Sequence, residues 1–222
     1  MSPTPPKTPA TRRGYGGRSA EALLAERRER LLAAAMSLFG TQGYLATRIE
    51  HICATAKVTT RHFYEQFADR EALLVAVFDL VMAEAAAAVL SALSAEGLTG
   101  LERANAGLRA FVNIQLKDPR RARISCIEVM GVSRELEERR RQVMQQFASF
   151  IETQLNQLAT QGLIPKRSYR GQALAFVGGV HELEIDWLLT EPRPSVDSVA
   201  DELVFILNTL LAGSQALMKN PS

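Results

Sequence analysis

The chain has 222 residues, of which 47% are apolar, so it is long enough for one or two domains with a substantial core. Its two cysteines provide neither a disulfide framework nor the spacing of a metal site, and charges interrupt the only long apolar region, which excludes a membrane span. The formal net charge of +2 divides unevenly, because residues 1–70 contain eleven Lys or Arg against six Asp or Glu, and residues 71–222 contain fifteen against eighteen.

The sequence therefore predicts a cytoplasmic protein without cofactor or metal. Two free thiols suit a reducing compartment, and the N-terminus lacks the long apolar segment of a secretory signal. The positive N-terminal part either attracts the phosphate backbone of nucleic acid or is only a solvated face with a basic tail.

Residues 1–18 are rich in Pro, Gly and Thr and contain four cations but no acid. This composition buries too little apolar surface to fold, so we predict a disordered basic arm. The arm is either an inert tail, which we favour, or a segment that follows the DNA backbone or a minor groove through Arg12, Arg13 and Arg18.

The first predicted helix covers residues 19–40, with Ser19 as its cap. Its core face consists of four apolar residues at helical spacing, namely Leu31, Ala35, Leu38 and Phe39. Two short helices joined by a tight turn at 56–58 are predicted next. Thr47 and Glu50 have the spacing of a capping box at the start of the first of these.

The second short helix has one apolar and one polar side. Thr59 is its predicted cap, and Val58, Phe63 and Phe67 form its buried side. The opposite side carries hydroxyl, guanidinium, imidazole, phenol and amide groups, on Thr60, Arg61, His62, Tyr64 and Gln66. These are groups that contact phosphates and base edges in DNA complexes, so this face is predicted to read DNA.

Residues 28–79 resemble the start of the TetR/AcrR family of transcriptional regulators. The landmarks occur in order over about fifty consecutive residues, from Leu38-Phe39 through Gly43-Tyr44, Thr47, Ile49, Ile52, Ala56, Val58, Phe63-Tyr64 and Phe67 to 71–74. The resemblance implies an all-α protein. Residues 19–68 would form a three-helix DNA-binding domain with a helix-turn-helix, and residues 69–222 a larger ligand-binding and dimerisation domain.

The same resemblance implies which residues meet DNA. Bases would be contacted by Thr60, Arg61 and Tyr64 with the neighbouring His62, and phosphates by Thr47, Arg48, Thr59, Gln66 and Arg70. The chain departs from the family pattern at three positions. Lys57 replaces the usual turn Gly at a position that often adopts a left-handed backbone, Arg61 replaces a small residue, and His62 replaces a Thr. Base preference is therefore not carried over.

Capping residues and helix breakers predict five longer helices after the helix-turn-helix. They cover 69–94, 101–117, 133–161, 168–190 and the region from Ser195 onwards, and a shorter segment covers 120–130. Small residues form one stripe of the fourth helix, namely Gly171, Ala175, Gly178 and Gly179. In the family the last two helices pair with those of a second copy, but the stripe fits an intramolecular core equally well.

The sequence contains no recognisable catalytic or metal-binding motif. A ligand pocket among the later helices is implied by the family resemblance. Its candidate lining is Phe111, Met130, Met144, Phe147, His181, Glu184 and Trp187, although the apolar members are more often plain core. His181 and Glu184 share a helix face and either make a hydrogen bond at an interface or pocket rim, or orient a ligand.

Three functions remain open from sequence. A non-specific DNA-coating protein without an effector is disfavoured, because it leaves the long C-terminal region without a role. The other two give that region a function. The first is a homodimeric, sequence-specific transcriptional regulator, namely a repressor that binds a near-palindromic site in double-stranded DNA. Its affinity for this DNA would change when a small, largely apolar ligand binds. The alternative is a helical small-molecule-binding protein or enzyme that keeps the helix-turn-helix only as scaffold. This alternative predicts no DNA affinity and turnover that depends on His181 or Glu184.

Overall fold

The computed structural model describes residues 19–219, with side chains up to residue 217, and every regular element in that range is helical. The all-α prediction is thereby confirmed, whereas the predicted arm at 1–18 lies outside the described residues. The α-helices of the described range are α1 (Ala20–Gln42), α2 (Ile49–Ala56), α3 (Thr60–Tyr64), α4 (Arg70–Leu93), α5 (Gly100–Leu116), α6 (Pro119–Arg123), α7 (Arg134–Thr160), α8 (Arg170–Leu189) and α9 (Val196–Lys219), and a π-helix (Ile124–Glu128) directly follows α6.

Local capping explains where the helices begin. The Ser19 hydroxyl accepts a hydrogen bond from the backbone N–H three residues later at 3.1 Å, and Thr59 does the same at 3.3 Å. Asp69 caps α4 at 2.8 Å and Ser133 caps α7 at 3.1 Å. All four caps agree with the sequence prediction, because an N-cap bond involves only residues close in sequence.

The turn between α2 and α3 contains a backbone conformation that suits glycine. Lys57 lies in the left-handed region, with φ 53° and ψ 45°, and is the only non-glycine residue with positive φ in the described range. Its N–H donates to the Ala54 carbonyl at 3.2 Å, and the next N–H donates to Cys53 at 3.0 Å. These bonds end α2, although a side chain in this conformation costs about 1 kcal/mol or more.

The first hydrophobic core joins the helix-turn-helix to the helices after it. All four predicted core residues of α1 are buried there, as are Val58, Phe63 and Phe67. The same core continues into α4, the π-helix and α7, through Leu73, Leu74, Val77, Phe78, Val81, Ile124, Val129, Leu136 and Val143. The helix-turn-helix thus rests on α4, the π-helix and α7.

Helix α4 is, within the described residues, the one helix long and apolar enough by length and composition to cross a membrane. Its two interrupting acids form ion pairs with other helices of the same chain. Asp79 lies 2.8 Å from Arg139 of α7, and Glu84 lies 2.6 Å from Arg121 of α6. Both pairs fix α4 in the bundle, and its buried residues pack in the first core.

A second core holds α5, α8 and α9 together, and a small third core closes the far end of α7. Phe176, Trp187 and Leu203 belong to the second core, and Ile164 and Tyr169 to the third. Helix α8 begins two residues later than predicted because Tyr169 is fully buried and its hydroxyl donates to the backbone of the preceding connector at 2.7 Å.

The small-residue stripe of α8 faces open space within this chain. A Cβ atom placed on Gly171, Gly178 or Gly179 would meet no other atom within 4 Å. Large apolar side chains on the last two helices are also exposed, including Leu189 at 70% and Phe205 at 65%. Among the residues that the structure describes, no intramolecular core covers the stripe.

Candidate functional site

The exposed face of α3 presents three of the predicted base-reading side chains. Thr60 is exposed, the Arg61 side chain is 88% exposed, and Tyr64 is 57% exposed. The opposite side of the same helix is anchored by Phe63, which is fully buried. Arg61 is tied only by a 3.4 Å ion pair with Glu65, a surface pair of the kind that contributes little stability. Its guanidinium is therefore available for an external partner.

His62 and Gln66 are held more tightly than their neighbours. The His62 Nδ1 lies 2.8 Å from the Thr59 hydroxyl, and its Nε2 lies 4.0 Å from the Glu65 carboxylate. Gln66 donates to the Leu24 carbonyl at 3.3 Å, which fastens the end of α3 to α1. Both side chains are partly buried and orient α3.

The capping box predicted at the start of α2 is wrong. Helix α2 begins at Ile49 after Arg48, which makes no side-chain cap bond. Thr47 is fully buried, and its hydroxyl donates to the Gly43 carbonyl at 2.7 Å. Its side chain is therefore withdrawn from the surface and has no free hydroxyl for a phosphate. Arg48, in contrast, is exposed.

Arg70 also differs from its predicted role as a phosphate contact. Its Nη1 donates to the Thr47 carbonyl at 2.5 Å, and its guanidinium lies over the Tyr44 ring at 4.2 Å from the centroid. A charge-assisted bond and a cation–π contact use this side chain inside the protein. Arg70 thereby clamps the first turn of α4 to the loop before α2.

A cavity of about 1090 Å³ lies among α4, α5, α7, α8, α9 and the π-helix. Five of the predicted ligand residues line it: Phe111, Met144, Phe147, His181 and Glu184. Phe111 and Phe147 form an edge-to-face pair with ring centroids 5.6 Å apart. Aliphatic and aromatic side chains make up most of the remaining wall, as expected of a site for a largely apolar molecule.

Two predicted lining residues do not reach this cavity. Met130 lies in the turn after the π-helix and is 51% exposed on the surface. Trp187 is buried in the second core, where its Nε1 donates to the Pro194 carbonyl at 2.8 Å and Arg193 covers its ring. Trp187 therefore fixes the α8–α9 connector.

The polar part of the wall was largely missed from sequence. Gln115 donates through Nε2 to the Ser125 hydroxyl at 3.2 Å, and Cys126 Sγ donates to Glu184 Oε2 at 3.5 Å. Burial raises the pKa of the Glu184 carboxyl to about 8, and burial also raises the pKa of the Cys126 thiol. Burial lowers the pKa of His181. A polar residue on an otherwise apolar helix face was the only available sequence signal, and it identified His181 and Glu184 but not Gln115 or Ser125.

Among the described residues, no group of three or more His, Cys, Asp or Glu side chains is placed to hold a metal ion. The cavity wall thus combines a buried acid, a buried thiol and a half-buried imidazole, all of which can form hydrogen bonds.

Solved structures of bacterial regulators share this fold. FadR from Bacillus subtilis in complex with stearoyl-CoA superposes with a TM-score of 0.72 at 16% identity, over 81% of this chain and 96% of that chain. AibR in complex with isovaleryl coenzyme A and operator DNA superposes with a TM-score of 0.64 at 22% identity, over 81% of this chain and 97% of that chain.

Sequence similarity is concentrated in the DNA-reading part. Residues 31–77 match the family model of bacterial regulatory proteins, tetR family. The chain is also 42% identical over 52 residues to the HTH-type transcriptional regulator HbdR of Aromatoleum sp. (strain CIB), and this match spans about a quarter of each protein, 23%. The N-terminal part of the chain is therefore a DNA-binding domain of the TetR family.

The π-helix connects the cavity with the helix-turn-helix. Ser125 and Cys126 line the cavity, whereas Glu128 reaches the other way. Its Oε2 accepts from the Tyr44 backbone N–H at 2.6 Å, and its Oε1 accepts from Arg123 Nε at 2.8 Å. A shift of this short segment would therefore act directly on the loop that precedes α2.

Proposed function

We propose that this TetR-family chain is a homodimeric transcriptional repressor without enzymatic activity that acts in the cytoplasm. It binds a near-palindromic operator in double-stranded DNA and changes affinity when a small, largely apolar ligand enters the cavity. The observation that carries the proposal is the face of α3, where Thr60, Arg61 and Tyr64 are exposed on a helix whose other side is anchored in the core.

Helix α3 enters the major groove, where Arg61, Tyr64 and Thr60 read base edges. Exposed Arg48 contacts the phosphates beside it. The hydroxyl of Thr59 is bonded to His62 and caps α3, and the half-buried His62 and Gln66 keep α3 in register. The excess of cations in residues 1–70 favours the encounter with DNA and makes it depend on salt. Residues 19–68 act as the DNA-binding domain, and the basic arm at 1–18 adds charge.

Residues 69–222 bind the ligand and the second copy. The uncovered stripe of α8 and the exposed apolar side chains Leu189 of α8 and Phe205 of α9 suit a symmetric helical interface. Such an interface sets the spacing of the two α3 helices to that of the two half-sites.

Ligand binding is coupled to DNA through the π-helix. A ligand against Ser125 and Cys126 biases the position of Glu128, and with it the loop held at Tyr44 N–H. A ligand shifts DNA affinity only as far as it binds one arrangement better than the other. The AibR structure holds isovaleryl coenzyme A and operator DNA together, which supports two sites on one chain of this fold.

The test is binding of the purified full chain to its own upstream intergenic DNA and to a scrambled duplex at two salt concentrations. Arg61→Ala is expected to lose about 1–3 kcal/mol on the preferred site and to relax base preference. Arg167→Ala serves as a charge-matched control, because Arg167 is exposed in the connector after α7. Helix α7 is 27 residues long and places that connector roughly 40 Å from its first turn, whose cap Ser133 contacts α4.

Equal losses in the two variants would mean that only net charge matters and would refute base reading by Arg61. No binding by the wild-type chain at low salt, in a sample shown to be free of ligand, would refute the regulator proposal. That result would favour the small-molecule-binding alternative, in which the helix-turn-helix serves as scaffold.

A further inference from the structure

Four buried polar atoms without a hydrogen-bond partner lie on the wall of the same cavity. They are Gln115 Oε1, His181 Nε2, Glu184 Oε1 and Asn208 Oδ1. Gln115 is 1% exposed and Glu184 is 2% exposed, so neither side chain has bulk solvent at hand. They belong to three different helices, α5, α8 and α9, and an unpaired buried polar group costs free energy wherever it occurs.

The bonds already made show which atoms are left for a ligand. The Ser125 hydroxyl donates its one hydrogen to the carbonyls of Arg121 and Ala122, at 3.1 and 3.3 Å. Ser125 therefore accepts from Gln115, which fixes the Gln115 amide with Nε2 towards Ser125 and leaves Oε1 unpaired. Glu184 likewise has one bonded and one unpaired oxygen, because Oε2 accepts a hydrogen bond from the Cys126 thiol and Oε1 has no partner.

Two of the four unpaired atoms, Gln115 Oε1 and Asn208 Oδ1, are amide oxygens that only accept hydrogen bonds, and Glu184 Oε1 accepts them when the carboxyl is ionised. A matching ligand must bring hydrogen-bond donors to this end of the cavity. Most of the rest of the wall is apolar, with side chains that include Phe78, Val143, Phe147, Phe176, Val180 and Leu211, although Arg103, Arg140 and several glutamines also line it. The apolar part of the wall is complementary to a long hydrocarbon part of a ligand.

We infer that the cavity takes an elongated apolar molecule that ends in a hydroxyl or a protonated amino group, which donates a hydrogen bond to Gln115 and also bonds with Glu184. This inference rests on the proposed role of the cavity as the ligand site. A hydroxyl donates to Gln115 and pairs with the neutral Glu184 carboxyl. A protonated amine donates to both residues and turns Glu184 into its carboxylate partner.

The groups around Glu184 are compatible with either a hydroxyl or a protonated amine of the ligand. Cys126 faces it from the π-helix, and His181 lies one turn earlier on α8. Arg140 of α7 also lines the cavity, but its guanidinium is 3.2 Å from Glu137 and already paired. Among the described residues, the cavity wall supplies no cation bonded to Glu184, so a ligand cation would be its first charged partner.

The test is calorimetric titration of the full chain with four probes that share one alkyl chain: decanol, decylamine, decyl methyl ether and decanoate. Decanol or decylamine is expected to bind at least about tenfold more tightly than the ether, which has no donor. Gln115→Leu should remove about fivefold or more of that preference and leave ether binding unchanged. Glu182→Gln is the control, because Glu182 lies on α8 but is exposed.

Glu184→Gln distinguishes the two donors, since the amide keeps an acceptor oxygen and removes the ionisable group. A hydroxyl ligand should lose less than about threefold in affinity, and an amine ligand about tenfold or more. Equal affinities for the four probes, tighter binding of decanoate, or no binding of any probe would each overturn the inference. DNA binding measured on the same samples separates this failure from failure of the regulator proposal, because operator affinity does not require an alkyl probe to bind.

Discussion

Replacing Glu184 by Gln should stabilise the protein, and the gain should grow with pH. The Glu184 carboxyl is buried, and its folded-state pKa is raised from 4.5 to about 8. A carboxyl with a raised folded pKa contributes nothing unfavourable below pH 4.5, where it is protonated in both states. Above that pH the unfolded chain releases the proton and the folded chain retains it, so stability is lost until the pH passes the folded pKa.

The size of the effect follows from the two pKa values. Each pH unit between 4.5 and about 8 costs about 1.4 kcal/mol, so at pH 7 the wild-type chain carries a penalty of about 3 kcal/mol. Gln has the same shape, cannot ionise, and can still accept from Cys126, so Glu184→Gln avoids the penalty. The expected variant is only slightly changed at pH 4.5 and about 3 kcal/mol more stable at pH 7.

The assay is urea unfolding of both proteins at several pH values between 4.5 and 9, at one protein concentration because assembly also affects stability. The exposed Glu182→Gln variant is the control for loss of an acid on the same helix. A stability difference that does not change with pH would refute the reasoning, since it would mean that Glu184 is ionised in the folded protein or solvated there.

Two further predictions concern the helix-turn-helix and its link to the cavity. Lys57→Gly should raise the free energy of unfolding by about 0.5–1 kcal/mol, because glycine adopts the left-handed conformation without a steric cost. The control is Ala54→Gly in the right-handed part of α2, which should lower the free energy of unfolding by about 1 kcal/mol. Equal effects of the two substitutions in thermal unfolding would contradict this prediction. Glu128→Gln should weaken the hydrogen bonds to the Tyr44 N–H and to Arg123. The change in DNA affinity caused by the tightest-binding alkyl probe should therefore shrink severalfold. The affinity of the protein for that probe should stay within about twofold of the wild-type value. An unchanged response in the DNA-binding assay would mean that coupling takes another route.

Some features of the ligand site depend on contacts between residues far apart in sequence, which sequence periodicity and capping do not predict. Cys126 and Glu184 are 58 positions apart and meet only because the π-helix packs against α8. Met130 and Trp187 looked equally suited to a pocket, yet one lies on the surface and the other holds the α8–α9 connector. Residue type alone does not distinguish a large apolar side chain in a cavity wall from one in a core.

In the helix-turn-helix region too, some features follow from neighbouring residues in sequence and others only from the fold. Thr59, Asp69 and the core face of α1 follow from spacing, because caps and helix faces are formed by residues three or four apart. Thr47 and Arg70 were misassigned because their partners, Gly43 and the Thr47 carbonyl, were hidden by the fold of the loop between α1 and α2. An exposed-looking polar side chain remains free for DNA only if no internal partner claims it.

The sequence by itself determined the helices and the polar face of α3, because periodicity and capping are encoded by near neighbours. The left-handed turn at Lys57 was implied by the resemblance to the TetR/AcrR family. Only the tertiary structure decided which polar groups are hydrogen-bonded inside the protein and which stay available for DNA or a ligand. The reason is that burial and long-range pairing set the energies of these groups. For the same reason, the unpaired oxygens of Gln115 and Glu184 became visible only once α5, α8 and the π-helix were placed around one cavity.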